Sequence, residues 1–294
     1  MKTSQAVLAI CFCIALGALI ALAGSQGSVP LTQNISLFAA CGAIGFLLHW
    51  LVFLPSYAFQ TEHYFDLTGS VSFLVAVSVA YIFNPAADTR TLIMTLLIVI
   101  WALRLGSFLF VRVKRAGQDS RFIELKTRFW RFCFTWTMGG LWVFLTMAAP
   151  LAAITSATKL PLGLIGYLGI ALWVVGFTIE VIADRQKTAF RADPANQERF
   201  ISKGLWAWSR HPNYFGEIIL WIGLALMALP VLQGWQLVTL ISPVFVVLLL
   251  TRVSGVPLLE KKADAKWGRD LDYQAYKQNT PILIPRPPNQ GISN

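Results

Sequence analysis

A run of hydrogen-bonding side chains, WSRHPNYFGE at residues 208–217, stands directly before an apolar stretch. It offers an arginine, an imidazole, an amide, a phenol and a carboxylate at Arg210, His211, Asn213, Tyr214 and Glu217. Helical spacing places all but the imidazole on one stripe, and Pro212 suits the first turn of a helix, where a missing N–H is no loss. The run therefore predicts a polar binding site at the mouth of an apolar helix.

The same residues also fit an interfacial belt, in which aromatic rings anchor the chain among lipid headgroups and Arg210 snorkels to the surface. That alternative accounts for Trp206, Trp208 and Tyr214. It does not account for Glu217, a carboxylate about one turn inside an apolar segment, which needs a partner there.

Similar groups stand at the ends of other apolar stretches. Carboxylates that suit hydroxyls or amides, and cations that suit phosphate, occur at Arg104, Arg112, Lys114, Arg115, Glu180, Asp184, Arg185, Lys187, Arg191, Arg252 and Glu260. Positive charge on the cytoplasmic side explains the basic runs, but not Arg104, Glu180 and Glu217, which are costly in an apolar layer unless paired. These residues predict a pocket that opens to the cytosol and holds a large anionic cofactor.

A different cluster, PSYAFQTEHYFDL at residues 55–67, separates two further apolar stretches and contains no Lys or Arg. Its polar side chains include Gln60, Glu62, His63 and Asp66. A solvated loop is one interpretation. The other is a carboxylic acid shielded from water, which keeps its proton and can donate a hydrogen bond to a carbonyl.

The elements that must position these residues are membrane helices. Hydrophobic residues make up 56% of the chain and charged residues 13%, against about 25% charged in soluble domains. Apolar stretches that approach the length of a membrane span occur at residues 6–23, 35–54, 67–83, 92–111, 132–154, 162–182, 215–229 and 237–250. The first also fits a secretory signal. We therefore predict an all-α, polytopic membrane bundle of seven or eight helices over residues 1–254.

Charge predicts the orientation of the bundle. Residues 112–131, 184–211 and 252–294 contain most of the Lys and Arg residues, whereas the opposite connections contain only Arg90 and Lys159. Both termini are therefore predicted to be cytoplasmic, and the net charge of +10 reflects topology rather than nucleic-acid binding. Residues 255–294 are predicted to form a partly helical cytoplasmic tail on or near the cofactor site. The cysteines have no paired spacing, so no metal site is predicted.

Three segments carry a resemblance to a known family. GLWAWSRHPNYFGEIILWIGLAL, the preceding ADRQK and the closing YQAYKQNTPILIP resemble the C-terminal half of the membrane steroid 5α-reductase family, especially its bacterial relatives. The resemblance runs from about Arg104 to Pro285. It implies an enzyme of the bacterial inner membrane that uses NADPH to reduce a carbon–carbon double bond conjugated to a ketone, in an apolar substrate taken from the bilayer.

The resemblance also implies roles for individual residues. Gln60 and Glu62 fall on the family's substrate motif, although the two are adjacent in the family, so Asp66 stays an alternative acid. Trp101 stands where the family has a carbonyl-facing tyrosine. Cofactor-binding positions of the family match Asp184, Asn213, Glu217 and Arg252. Glu62, oriented by Gln60, would stabilise the enolate oxygen that develops during hydride transfer.

Two other functions stay open. Membrane methyltransferases such as the isoprenylcysteine carboxyl methyltransferase have a similar RHPxYxGE segment and bind S-adenosylmethionine, and their later acidic-then-Tyr pattern fits Glu260, Tyr273 and Tyr276. A lipid carrier that is not an enzyme would bind no nucleotide. The cations around residues 184–187 favour the reductase, since a 2′-phosphate needs several cations. Steroids, enoyl lipids and terpenoid enones all fit an apolar substrate site.

Overall fold

The computed structural model describes residues 2–116 and 122–288, without the side chains of Arg115 and Ala116. The α-helices of the described residues are α1 Thr3–Ser25, α2 Leu37–Ala58, α3 Phe65–Ile82, α4 Thr89–Ala116, α5 Phe129–Thr155, α6 Leu164–Ala192, α7 Pro212–Ala228, α8 Ile241–Leu248, α9 Val256–Trp267 and α10 Leu271–Asn279. Eight stretches among them are long and apolar enough to cross a membrane. The predicted all-α membrane fold is confirmed.

The chain divides into two compact units. The first unit consists of Met1–Tyr167 and Leu224–Ser242, and the second of Leu168–Gly223 and Pro243–Asn294. The polar run before α7 belongs to the second unit, and the acidic connection between α2 and α3 belongs to the first. The division into a bundle of residues 1–254 and a tail of residues 255–294 stays a prediction.

The core of the first unit is α5. From Val143 to Thr155 every side chain of this helix is buried, as expected for a helix that is apolar on all sides. Glycines allow α2 to approach it closely: a Cβ atom on Gly45 would lie 3.1 Å from the carbonyl oxygen of Gly140. Small residues at such contacts let helices pack backbone to backbone in a membrane.

In the second unit, α6 and α7 also pack at backbone distance. A Cβ atom on Gly176 would lie 2.5 Å from the carbonyl oxygen of Gly216, and one on Gly223 would lie 2.5 Å from that of Gly169. The two pairs are separated by about two turns on each helix, so the antiparallel helices are in backbone contact at two successive points. This contact fixes the polar end of α6 against the start of α7.

The segment after α8 changes its helical type. A π-helical turn, Leu249–Val253, directly follows α8, and α9 begins after Gly255. The sequence suggests one helical pattern over residues 258–278, but the structure has two helices, because Asp270 caps a new one with its side chain on the backbone N–H of Asp272 at 2.8 Å. Residues 281–288 follow α10 without regular secondary structure.

Gly216→Leu should destabilise the second unit, because a side chain at this position meets the backbone of α6. Overpacking of this kind costs about 1 to 3 kcal/mol. Thermal unfolding of the purified protein, followed by tryptophan fluorescence, measures the effect. Gly163→Leu is the control, since no atom lies within 4 Å of a Cβ there. Equal melting temperatures for the two variants would contradict the packing argument.

Candidate functional site

The first part of the candidate site lies between the end of α6 and the start of α7. Since α7 begins at Pro212, Asn213 stands in its first turn, and its Nδ2 donates to Asp184 Oδ1 at 3.2 Å. Asp184 and Glu180, one turn apart on α6, are 7% and 2% exposed. The backbone of Glu180 borders Gly216 of α7. The structure thus brings together three of the predicted site residues.

Glu260 of α9 forms the second part of the site. One carboxylate oxygen accepts from Arg210 Nη1, and the other accepts from His211 Nε2 at 2.9 Å. The phenol ring of Tyr214 stacks on the imidazole with ring centroids 5.7 Å apart. Helical spacing could not reveal this group, because Glu260 is distant in sequence from both of its partners.

The protonation state of His211 follows from its surroundings. Burial lowers the pKa of the imidazole below its ordinary value, although the hydrogen bond to Glu260 acts in the opposite direction. A neutral imidazole that donates from Nε2 keeps a lone pair on Nδ1. His211 can therefore accept a hydrogen bond from a ligand through Nδ1.

Three buried polar atoms of this group have no hydrogen-bond partner among the described residues: His211 Nδ1, Asn213 Oδ1 and Arg210 Nε. Two are acceptors and one is a donor. Buried polar atoms without partners are costly, and more so where lipid surrounds the protein. A ligand with hydroxyl or amide N–H groups next to an acceptor oxygen matches them chemically.

The predicted phosphate-binding cations of the second unit lie at separate positions on α6 and on the π-helical turn. Lys187 lies over the indole of Trp206, with its Nζ 4.4 Å from the ring centroid. Arg191 is exposed in the last turn of α6, and Arg252 is exposed in the π-helical turn. Glu217, which the sequence places inside α7, is half-buried.

In the first unit, Glu62 is 3% exposed and accepts from Lys126 Nζ at 2.9 Å. Glu62 is thus not part of a solvated loop. Its ion pair differs from the expected arrangement, in which a protonated Glu62 is itself the donor. Lys126, the cation that compensates the acidic connection, comes from the segment before α5 and could not be predicted from residues 55–67. The distance along the chain hid this pair.

Asp66 and Gln60 have separate partners in the first unit. The Nη2 atom of Arg112 lies 3.6 Å from Asp66 Oδ2, so one predicted phosphate-binding cation faces a carboxylate. Gln60 has a backbone φ of 52° and donates from Nε2 to the carbonyl oxygen of Tyr57 at 2.6 Å. The side chain of Gln60 is exposed and bonds back to α2, and its predicted role in orienting Glu62 stays a prediction.

The remaining predicted residues lie on or next to α4. Trp101 is 1% exposed and packs edge-on against Phe73, with ring centroids 5.1 Å apart. The guanidinium of Arg104 lies 5.3 Å from the ring centroid of Phe108, one turn further along the helix. The side chain of Arg115 lies outside the described residues. No cluster of three or more metal-ligating side chains occurs in the described part of the chain.

Comparison with known proteins identifies the family. A family model described as "Protein of unknown function (DUF1295)" matches residues 52–280. The chain belongs to the DUF1295 family, and the match covers both polar clusters described above. Searches of curated proteins and of solved structures gave no match.

The buried imidazole makes stability depend on pH. Because the pKa of folded His211 lies below its ordinary value of 6.5, unfolding takes up a proton below pH 6.5, and stability falls as the pH falls through this range. The slope from one such group is at most about 1.4 kcal/mol per pH unit. The free energy of unfolding, measured with denaturant between pH 7.5 and about 5, should depend less steeply on pH for His211→Gln than for the parent. Identical slopes would contradict a depressed pKa.

Proposed function

We propose that this member of the DUF1295 family is a membrane oxidoreductase that uses NADPH to reduce the carbon–carbon double bond of an enone. The observation that carries the proposal is that buried atoms of His211, Asn213 and Arg210 have no hydrogen-bond partner within the described part of the chain. Ribose hydroxyls and a carboxamide N–H₂ are donors for the two acceptors, and a ribose or carboxamide oxygen is an acceptor for Arg210 Nε. The resemblance to the steroid 5α-reductases supports the same cofactor.

The second unit would bind the nucleotide through helix ends and side chains. Asp184 and Asn213 would hold ribose hydroxyls, since carboxylate and amide oxygens accept from them. Lys187 and Arg191, on the last turns of α6, would pair with the 2′-phosphate. Glu260 would hold Arg210 and His211 in place, because its two oxygens fix both side chains.

When bound, NADPH would supply a hydride to the β-carbon of the enone. The remaining task is to stabilise negative charge on the carbonyl oxygen and to supply one proton to the α-carbon. In the first unit, the Lys126–Glu62 pair is a half-buried donor next to a buried acceptor, and a preorganised donor of this kind lowers the barrier where charge develops. Lys126 would donate a hydrogen bond to the oxygen, Glu62 would hold the ammonium in position, and solvent water would supply the proton that the α-carbon takes up.

An apolar groove in the first unit supports a substrate that comes from the bilayer. The groove has a volume of about 440 Å³ and is lined by Ile10, Leu47, Trp50, Leu51, Phe53, Leu54, Cys133 and Thr137. Phe53 also belongs to a buried aromatic cluster with Phe122, Phe132 and Trp136, against which Phe65 packs. Phe65 follows Glu62 by three residues, so apolar surface continues from the groove towards the ion pair.

One observation favours a second candidate, methyl transfer from S-adenosylmethionine. Glu180, Asp184 and Glu260 are carboxylates, and the stacked rings of His211 and Tyr214 present aromatic faces. Carboxylates and aromatic faces both suit a sulfonium ion. The two candidates differ in their need for cations, because only NADPH carries a 2′-phosphate.

Titration of the purified protein with NADPH, NADH and S-adenosylmethionine tests the proposal. We expect NADPH to bind at least about tenfold more tightly than NADH, since one lost ion pair to a phosphate is worth about 1.4 kcal/mol or more. Binding of S-adenosylmethionine alone would favour the methyltransferase. Binding of none of the three would favour a carrier without enzymatic activity.

Asn213→Ala should weaken NADPH binding by about tenfold, because it removes a ligand acceptor and the bond to Asp184. Fluorescence titration with NADPH gives the affinity, and size-exclusion chromatography shows whether the variant stays monodisperse. Asn279→Ala is the matched control, since this exposed asparagine belongs to α10 and bonds only within its helix. If Asn213→Ala bound NADPH as tightly as the parent, the polar run would have a structural role rather than a role in binding.

Glu62→Gln should lower the turnover of a 3-oxo-Δ4 steroid such as progesterone by about a hundredfold, or about 3 kcal/mol, with little change in NADPH affinity. The physical reason is that the neutral amide no longer holds the Lys126 ammonium. NADPH consumption measures turnover. Asp66→Asn is the matched control in the same connection. If Glu62→Gln kept full activity and Asp66→Asn abolished it, the assignment to Glu62 would be wrong.

A further inference from the structure

The chain after α10 contains a segment without regular secondary structure, residues 281–286, which the proposed reaction does not use. We name it the C-terminal strap. The backbone N–H of Arg210 donates to the carbonyl oxygen of Pro281 at 2.9 Å, and that of Arg286 donates to Trp208 at 2.9 Å. The strap is therefore tied at both ends to the run that precedes α7.

Ser209 ties the middle of the strap to the candidate site. This side chain is fully buried, and its Oγ donates to the carbonyl oxygen of Leu283 at 2.8 Å. Ser209 Oγ also accepts a hydrogen bond from the backbone N–H of His211 at 3.2 Å. One hydroxyl group thus links the strap to the backbone of His211 through hydrogen bonds.

Exposure alternates along the strap. Ile282 and Ile284 are 48% and 65% exposed and Arg286 is exposed, whereas the residues between them are half-buried. The strap therefore leaves two isoleucines and an arginine uncovered, and we call these three side chains its uncovered face.

The strap is bonded to the chain just before the membrane span of α7. Trp208, which is 43% exposed, lies four residues before Pro212, where both α7 and its candidate membrane span begin. A span that starts there brings Trp208, and the strap bonded to it, to the depth of the lipid headgroups. Tryptophan is enriched at this depth, and arginine pairs there with phosphate.

We propose that the uncovered face of the C-terminal strap is docked in the headgroup layer of the membrane. The isoleucines enter the boundary of the acyl chains, Trp208 lies beside them, and Arg286 pairs with lipid phosphate. The membrane is the occupant because the strap is bonded to the residues that directly precede a membrane span.

Nitroxide labels at positions 282 and 284 test the proposal in lipid nanodiscs of phosphatidylethanolamine and phosphatidylglycerol. Ile282→Cys and Ile284→Cys are made in a chain whose four native cysteines are alanine, with Ala195→Cys, on an exposed polar turn, as the control. We expect both strap labels to collide more often with oxygen than with a water-soluble nickel complex, and the control label to do the reverse. Aqueous collision ratios at both strap positions, or spin–spin broadening from a second copy, would overturn the proposal.

A second measurement keeps the native cysteines. In the same nanodiscs, Ile282→Asp combined with Ile284→Asp should release the strap, because carboxylates are repelled by anionic lipid. Hydrogen exchange of peptides that contain the amides of Arg210 and Arg286 should then become at least about tenfold faster than in the parent. Ala195→Asp should leave that exchange unchanged. Equal exchange in the parent and the double variant would show that the strap does not depend on the membrane.

Discussion

The backbone contact between α6 and α7 is the constraint on which the candidate site depends. Gly176 and Gly216 bring the helices together so closely that the carbonyl of one occupies the place of a side chain on the other. One turn beyond this contact lies Glu180, and one further turn brings Asp184 to Asn213. The polar residues would bind a ligand, but the glycines set the distance between the polar residues of the two helices.

Charge is balanced locally within each unit. Glu260 satisfies Arg210 and His211 with its two oxygens, and Lys126 satisfies Glu62 in the first unit. Each arrangement keeps a charge in a poorly solvated place by giving it a partner of opposite sign, which is the condition for retaining it there. Buried atoms of His211, Asn213 and Arg210 have no hydrogen-bond partner among the described residues, and these carry the proposal of a nucleotide.

Local patterns predicted the spans, the start of α7 at Pro212 and the polar character of the run before it. The pairs that define the site could not be predicted, since Glu260 and Lys126 lie far along the chain from their partners and helical spacing relates only near neighbours. The left-handed backbone of Gln60 could not be predicted either, because a positive φ is uncommon at glutamine. The end of α9 could have been found, because Gly268 and Asp270 are a helix stop followed by an N-cap.

The pairing of Arg210 with Glu260 has a consequence for biosynthesis. The two residues are 50 positions apart, so at about 5 to 20 residues per second the arginine is made roughly 3 to 10 seconds before its carboxylate. Synthesis of α7 ends at Ala228, well before the interval ends, and its glycine contact with α6 needs nothing from the later chain. The hairpin of α6 and α7 can thus assemble first and present Arg210 and His211 to α9 as a preformed surface.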